Sequence, residues 1–155
     1  MTAAPRLPGL TLSDADQIVQ AALEVGAERG FPPLAVAVID VTGEVIVLRR
    51  SDGGMPMTSR IAVAKARSAL MALKPSGLLD KLPPGIIDAA QHLYGGNFVP
   101  RAGGVLVTEG DVIVGAAGAS TLTNDGTLTA AAAPATARGA RQTQMMLGEF
   151  ELLCT

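Results

Sequence analysis

The chain has 155 residues, of which 48% are hydrophobic and 17% charged, so it is long enough to bury one core. The net charge of −2 argues against nucleic acid as a partner, and no apolar run approaches the ~20 residues that a membrane span needs. Cys154 is the only cysteine, which excludes an intrachain disulfide, and residues 1–10 lack the pattern of a secretory signal. We therefore predict a cytoplasmic protein with no membrane segment.

The N-terminal part predicts a short flexible segment followed by a helix. Residues 1–9 contain two prolines and a glycine, and we expect one domain over residues 10–155. Apolar residues recur at helical spacing over residues 13–29, which predicts the first helix. Ser13 and Asp16 are the expected capping pair at its start.

Two near-repeats, Val-Thr-Gly-Glu-Val-Ile-Val at 41–47 and Val-Thr-Glu-Gly-Asp-Val-Ile-Val at 107–114, predict β-hairpins. Each is a polar turn followed by a β-branched run. The first hairpin pairs residues 34–40 with residues 45–50, and the second covers residues 104–119. The first strand of the first hairpin, residues 34–40, is continuously apolar. We therefore expect that strand to lie inside the sheet with both faces covered.

The remaining segments complete the order of elements. We expect a second helix over residues 58–73, a looser segment over 76–101 with a short helical turn at 86–92, a polar loop at 120–129 and a final helix over 130–152. Hairpins need no crossover helix, so the sheet is predicted to be antiparallel. The fold class is therefore α+β, with about five strands flanked by helices.

The second helix carries one charged residue on its apolar face. Arg60, Arg67 and Lys74 fall on one line seven residues apart, which predicts a solvated face. Lys65 lies almost opposite, among alanines and other small apolar residues. A lysine is rarely buried without a partner, because desolvating its charge is costly.

Three explanations of Lys65 are open from the sequence. Its stem could run past the alanines to the surface, or its ammonium could pair with an acid such as Asp40 or Asp52. Alternatively, Lys65 faces a ligand pocket and holds a carboxylate there. Ser68, one turn further along the helix, would share that pocket.

The looser segment contains the only histidine and the only tyrosine of the chain, His92 and Tyr94. Histidine is the usual acid or base at neutral pH and a common metal or haem ligand, although a single loop histidine also fits a plain surface position. Gly95 and Gly96 follow and would let backbone approach a ligand closely. Gly103 and Gly104 predict a bend into a strand. Gly115 and Gly118 predict close packing of a helix.

Several segments in this order resemble the GlcG/HbpS-like family of haem-binding, glycolate-utilisation-associated proteins, which also supplies the C-terminal domain of PduO-type proteins. The resemblance covers about residues 10–120. Its matching segments are residues 10–15, 35–40, 43, 49–53, 61–69, 103–105 and 114–120. It implies a roadblock/profilin-like antiparallel sheet, homo-oligomers and, in some members, haem or corrinoid binding. Lys65 falls on the family's lysine in helix two, and Ser68 falls where many members have threonine.

The leading hypothesis is a protein that binds a small-molecule ligand, with haem or a related tetrapyrrole as first candidate. His92 would be the axial ligand, and Lys65 and Arg50 would hold the propionates. The other predicted ligand-binding residues are Ser68, Tyr94, Gly103 and Gly104.

A second hypothesis is a cofactor-independent isomerase, cyclase or lyase acting on a small carbonyl or polyketide-like metabolite, in which His92 and Lys65 are catalytic. A third is a structural or regulatory homo-oligomer. The aromatic content of only 3% also favours self-association, because small side chains bury little area.

Overall fold

A computed structural model of the chain describes residue 7, residues 9–122 and the backbone of residues 128–130. The helices are α1 (Leu12–Glu28), α2 (Pro56–Ala72) and α3 (Pro84–Leu93), with a 3₁₀ helix at Ser76–Lys81. The strands are β1 (Ala35–Ile39), β2 (Val45–Arg50), β3 (Gly104–Glu109), β4 (Val112–Leu122) and β5 (Leu128–Ala130). Most of the predicted flexible segment at 1–9, and the predicted final helix beyond residue 130, lie outside the described residues.

The strands form one antiparallel sheet in the order β2-β1-β4-β3, and β5 pairs with the end of β4. All five residues of β1 are buried, which confirms the predicted interior strand. The α+β class with an antiparallel sheet of about five strands is confirmed as well. The predicted polar loop at 120–129 is wrong at both ends, because β4 extends to Leu122 and β5 begins at Leu128. These ends form a ladder in which Ser120 pairs with Ala130.

Helix α1 begins earlier than expected and uses a different cap. Thr11 is the N-cap residue, and its hydroxyl accepts a hydrogen bond from the Asp14 N–H at 3.1 Å. The Asp14 carboxylate accepts from the Thr11 N–H at 3.1 Å, which completes a capping box. The predicted pair of Ser13 and Asp16 is therefore wrong, because both residues already lie inside the first turns of the helix.

The sheet is covered by α1 on one face and by α2 on the other. Val36 and Val38 of β1 pack in the cluster that α1 covers, whereas Ala35 and Ala37 pack against α2. Helix α2 lies close to the β4 backbone, since a Cβ at Gly118 would collide with the Ala62 carbonyl oxygen. The predicted role of this glycine segment in close helix packing is confirmed.

The segment at 76–101 is more regular than the sequence predicts. It contains the 3₁₀ helix and the ten-residue helix α3, where only a short helical turn was expected. Pro84 stands in the first turn of α3, where its missing N–H costs nothing. None of the ten residues of α3 is buried, so this helix lies on the surface of the domain. Within the described residues, no helix is long and apolar enough to cross a membrane.

Candidate functional site

Two adjacent clefts lie beside α2, where that helix meets the β1–β2 hairpin and the turn after α3. The first, named here the turn cleft, has a volume of about 590 Å³. It combines apolar side chains with one cation and one anion. Its lining residues are Val41, Thr42, Gly43, Glu44, Arg67, Leu70, Met71, Tyr94 and Asn97.

The second, named here the strand cleft, has a volume of about 550 Å³. It is lined by Val45, Leu48, Ser59, Arg60, Val63, Ala64, Arg67, Gly95, Gly96 and Asn97. Among the residues that the structure describes, its lining carries two arginines and no acidic side chain. Of the described residues, Arg67 and Asn97 line both clefts.

Arg67 is the polar link between the two clefts. Its Nε donates a hydrogen bond to the Gly43 carbonyl at 2.9 Å, and its Nη1 donates to the Asn97 side-chain oxygen at 2.8 Å. Its Nη2 lies 4.0 Å from a carboxylate oxygen of Glu44. The prediction of a fully solvated line is therefore wrong at Arg67, which is half-buried, and right at Arg60 and Lys74, which are exposed. The difference arises because the hairpin turn and the 94–97 turn fold over this part of α2.

Ser68 holds the chain that follows the 94–97 turn. Its hydroxyl accepts a hydrogen bond from the Val99 N–H at 2.7 Å and donates to the Ala64 carbonyl at 2.7 Å. Ser76 does the same further along, accepting from the Gly104 N–H at 2.8 Å and donating to the Arg101 carbonyl at 2.6 Å. Both hydroxyls are buried, so they fix residues 97–104 against α2 and the 3₁₀ helix. A ligand-binding role for Ser68 stays a prediction.

Lys65 is 0% exposed, so the expectation that its stem reaches the surface is wrong. Its ammonium donates a hydrogen bond to the Ala119 carbonyl of β4 at 3.2 Å. The next two residues of β4, Ser120 and Thr121, carry buried hydroxyls with no hydrogen-bond partner in the described part of the chain. Lys65 thus bonds to β4 in the interior between α2 and the sheet, and it lines neither cleft. Its predicted ligand contact stays a prediction.

His92 and Tyr94 lie at the end of α3. Residues 95–97, which line the strand cleft, follow directly in the chain. His92 is the second-last residue of the helix and is exposed, and its carbonyl accepts from the Gly95 N–H at 3.4 Å. Tyr94 lines the turn cleft, and its ring stacks on Phe98 with centroids 6.4 Å apart. His92 lines neither of the two clefts, and no described contact brings it together with Lys65.

The remaining predicted residues lie outside both clefts. Arg50 is exposed at the end of β2, and its stem lies over Gly54. Gly103 has a φ of 120°, which allows the bend into β3. A Cβ on Gly104 would collide with the Lys65 carbonyl and lie 2.6 Å from the Ser76 hydroxyl, so this glycine lets β3 pack on α2. The predicted ligand contacts of Arg50, Gly103 and Gly104 stay predictions.

Asp40 shapes the hairpin turn that forms one wall of the turn cleft. Its carboxylate accepts hydrogen bonds from the Thr42 N–H at 2.8 Å and the Glu44 N–H at 3.1 Å. Burial raises the pKa of Asp40, but these bonds and those from the Thr42 hydroxyl and the Gly43 backbone outweigh it and hold the pKa below its usual value. The charged carboxylate therefore stabilises the turn and presents the Gly43 carbonyl to Arg67.

Sequence reasoning missed the residues that line the clefts most directly. Arg60 and Arg67 were assigned to a solvated face, and Asn97 had no assignment. The residue type was their one signal, since the planar guanidinium of arginine suits the recognition of carboxylates and phosphates. Periodicity alone gives no information on which turn folds over that row.

An antiparallel sheet between helices, with two open clefts beside one of them, defines this chain as an α+β domain. The family model described as "Haem degrading protein HbpS-like" matches residues 10–135, so the chain belongs to the HbpS-like family. This confirms the family predicted from the sequence. No curated protein matches the chain.

Solved structures support the same fold. The crystal structure of HbpS is 28% identical, with a TM-score of 0.64, over 76% of this chain and 81% of that one. The structure titled as a PduOC:heme complex is 20% identical, with a TM-score of 0.66, and the match covers 94% of each chain. The Klebsiella pneumoniae protein ORFY is 20% identical, with a TM-score of 0.68, over 99% of this chain and 95% of that one.

Proposed function

We propose that this chain binds haem or a related tetrapyrrole, and that the strand cleft is the binding site. The observation that carries the proposal is the make-up of this cleft, in which an apolar floor lies beside two arginines. A tetrapyrrole has the matching chemistry, since it is a flat apolar ring with carboxylates along its edge.

The apolar floor is suited to a flat ring. Val45 and Leu48 of β2 and Val63 and Ala64 of α2 supply it, and both β2 side chains are 41% exposed. Covering exposed apolar area of this kind favours binding by roughly 25 cal/mol per Å². Gly95 and Gly96 form part of the opposite wall, where the absence of side chains lets the backbone approach a flat ligand.

The charge of the cleft is suited to carboxylates. Arg60 is exposed, and Arg67 is held in place by two hydrogen bonds. Guanidinium groups match carboxylates in planar geometry and stay charged at any working pH. We therefore assign the carboxylate contacts to Arg60 and Arg67, in place of Lys65 and Arg50, because the Lys65 ammonium is bonded to the Ala119 carbonyl inside the domain.

His92, which lies beside the strand cleft in sequence, would be the residue that holds the iron. It is the only histidine of the chain, it is exposed, and its backbone is bonded to Gly95, which lines the strand cleft. A neutral imidazole is a common iron ligand in haem proteins. When bound, haem would supply iron-centred chemistry, while the residues of this chain hold its ring and carboxylates.

The comparisons support a haem-related role at the level of the family. The family description refers to haem degradation, and the PduOC structure is titled as a haem complex. The alternative of a cofactor-independent enzyme requires His92 and Lys65 in one cavity. Neither described cleft contains that pair, so no described cavity supports the enzyme alternative.

A haemin titration tests the proposal. The Soret band of the wild-type protein is expected to shift with a saturable, one-site dependence on haemin. His92→Ala should alter the position of the Soret band, because it removes the iron ligand, whereas Gln91→Ala on the same exposed helix should leave it unchanged. Absence of a saturable shift in the wild type would refute the proposal, and an identical band in His92→Ala would refute the role of His92 alone.

We also propose that the chain forms a homo-oligomer. The surface helix α3 exposes Ile86 and Leu93, which are 54% and 75% exposed, and burying such side chains favours association. Light scattering after size exclusion measures the mass directly. An oligomer in the wild type that dissociates in Leu93→Glu would support this proposal, and a monomer at micromolar concentration would contradict it.

A further inference from the structure

We infer that the turn cleft is a second binding site, which takes a small planar aromatic carboxylate. It differs from the proposed tetrapyrrole site in position and in lining, since Arg67 and Asn97 are the only described residues that line both clefts. The inference rests on the lining of the turn cleft and holds whether or not the strand cleft binds a tetrapyrrole.

Two side chains form an aromatic-binding wall. Met71 and Tyr94 line the cleft and are 37% and 41% exposed, so each offers apolar surface to a ligand. The Tyr94 ring is supported by its stacking on Phe98, which is almost fully buried. Methionine sulfur and tyrosine rings both pack favourably on aromatic rings. An aromatic ring that enters here therefore meets a supported wall.

Arg67 supplies the partner for the carboxylate. Two of its N–H groups are engaged by the Gly43 carbonyl and the Asn97 side chain, which fix the guanidinium plane at the cleft. Its Nη2 faces the Glu44 carboxylate at 4.0 Å, a distance too long for a hydrogen bond. Because the Glu44 side chain is 78% exposed, a ligand carboxylate can displace it into water at little cost.

The single tyrosine provides a direct measurement. Since the chain has one tyrosine and no tryptophan, ¹³C-labelled tyrosine gives one set of ring signals, which belong to Tyr94. 2-Naphthoate is titrated into the full chain, and the Tyr94 ring signals are followed. We expect a saturable shift that defines one binding constant.

Three variants test the assignment. Met71→Glu places a charge in the cleft and should weaken 2-naphthoate at least about tenfold, which corresponds to about 1.4 kcal/mol. Met57→Glu is the matched control, because Met57 is exposed on the same helix and lines neither cleft; it should bind as the wild type does. Glu44→Gln should tighten binding about threefold by removing the competing carboxylate.

Each result of the titrations either supports the turn cleft as a binding site or overturns it. A saturable Tyr94 shift with the expected order of the three variants supports the site. A shift that grows linearly without saturating, or equal weakening by Met57→Glu and Met71→Glu, overturns it. Unchanged affinity in Glu44→Gln overturns the pairing of the ligand carboxylate with Arg67. Because Arg67 lines both clefts, 2-naphthoate is titrated into haemin-free protein and haemin binding is measured separately by its Soret band, so the failure of one proposal is distinguishable from the failure of the other.

Discussion

The Arg67 guanidinium and the Asn97 side-chain oxygen lie 2.8 Å apart, and this hydrogen bond joins α2 to the turn that follows α3. The same guanidinium holds the Gly43 carbonyl of the β1–β2 turn at 2.9 Å. Arg67 thus connects two surface segments that are far apart in sequence. Both segments are walls of the clefts, so the shape of each cleft depends on this residue.

Replacing Arg67 by alanine is therefore expected to destabilise the fold by about 1–3 kcal/mol, because two partly buried acceptors lose their donor. Arg60→Ala on the same helix is the control and should stay within about 0.5 kcal/mol, since Arg60 is exposed. Urea unfolding measures both variants. A coupling energy near zero in the cycle of Arg67→Ala and Asn97→Ala would contradict the link.

Ser68→Ala should destabilise the protein by about 1–3 kcal/mol, because the Val99 N–H loses its acceptor in a mostly buried position. Ser59→Ala, also on α2, is the control with an expected change within about 0.5 kcal/mol. Chemical denaturation gives the free energies of unfolding. Equal stability of the two variants would show that Ser68 does not hold the 97–99 segment.

Gly118→Ala tests the close packing of α2 on β4. The added Cβ would collide with the Ala62 carbonyl and lie 2.8 Å from the Ala66 nitrogen, and both are backbone atoms. We expect a loss of at least about 1–3 kcal/mol, measured as a fall in Tm. Gly85→Ala in α3 meets open space and should stabilise the protein by about 0.5–1 kcal/mol. A wild-type Tm in Gly118→Ala would contradict the packing.

Acid should weaken the β1–β2 turn. The folded-state pKa of Asp40 is held below its ordinary value of 3.8, so its charge stabilises the native state above that value, and this contribution is lost as the pH falls through the folded pKa. Asp40→Asn keeps an oxygen acceptor but has no charge. The stability advantage of the wild type over Asp40→Asn should be largest near neutral pH and disappear in strong acid. An advantage that does not change with pH in urea unfolding would contradict this role.

Much of the fold could be predicted from the sequence because its signals are local. The β-branched runs around 41–47 and 107–114 specify two hairpins, and the apolar run in β1 specifies an interior strand. The end of β4 could not be predicted, because polar residues such as Ser120 and Thr121 indicate a loop when pairing with β5 is not visible. The α1 cap was missed by two residues, because Thr11 and Ser13 carry similar signals.

The site was harder to predict, because it depends on contacts between distant segments. Lys65 was placed on the small apolar face of α2 with its surroundings left open, and it is buried; Tyr94 lies at a cleft. The decisive residue, Arg67, was placed on a solvated face, since helical periodicity cannot show that Gly43 and Asn97 fold over it. His92 was predicted at the end of a short helical turn in the looser segment, and it lies near the end of the longer helix α3, where it is exposed.

The most direct test of the central claim is the haemin affinity of two matched variants, measured from the Soret band. Of these two clefts, Leu48 lines the strand cleft and not the turn cleft, whereas Met71 lines the turn cleft and not the strand cleft. If the strand cleft is the tetrapyrrole site, Leu48→Glu should weaken haemin at least about tenfold, whereas Met71→Glu should bind it within about twofold of the wild type. Wild-type haemin affinity in Leu48→Glu would contradict the account.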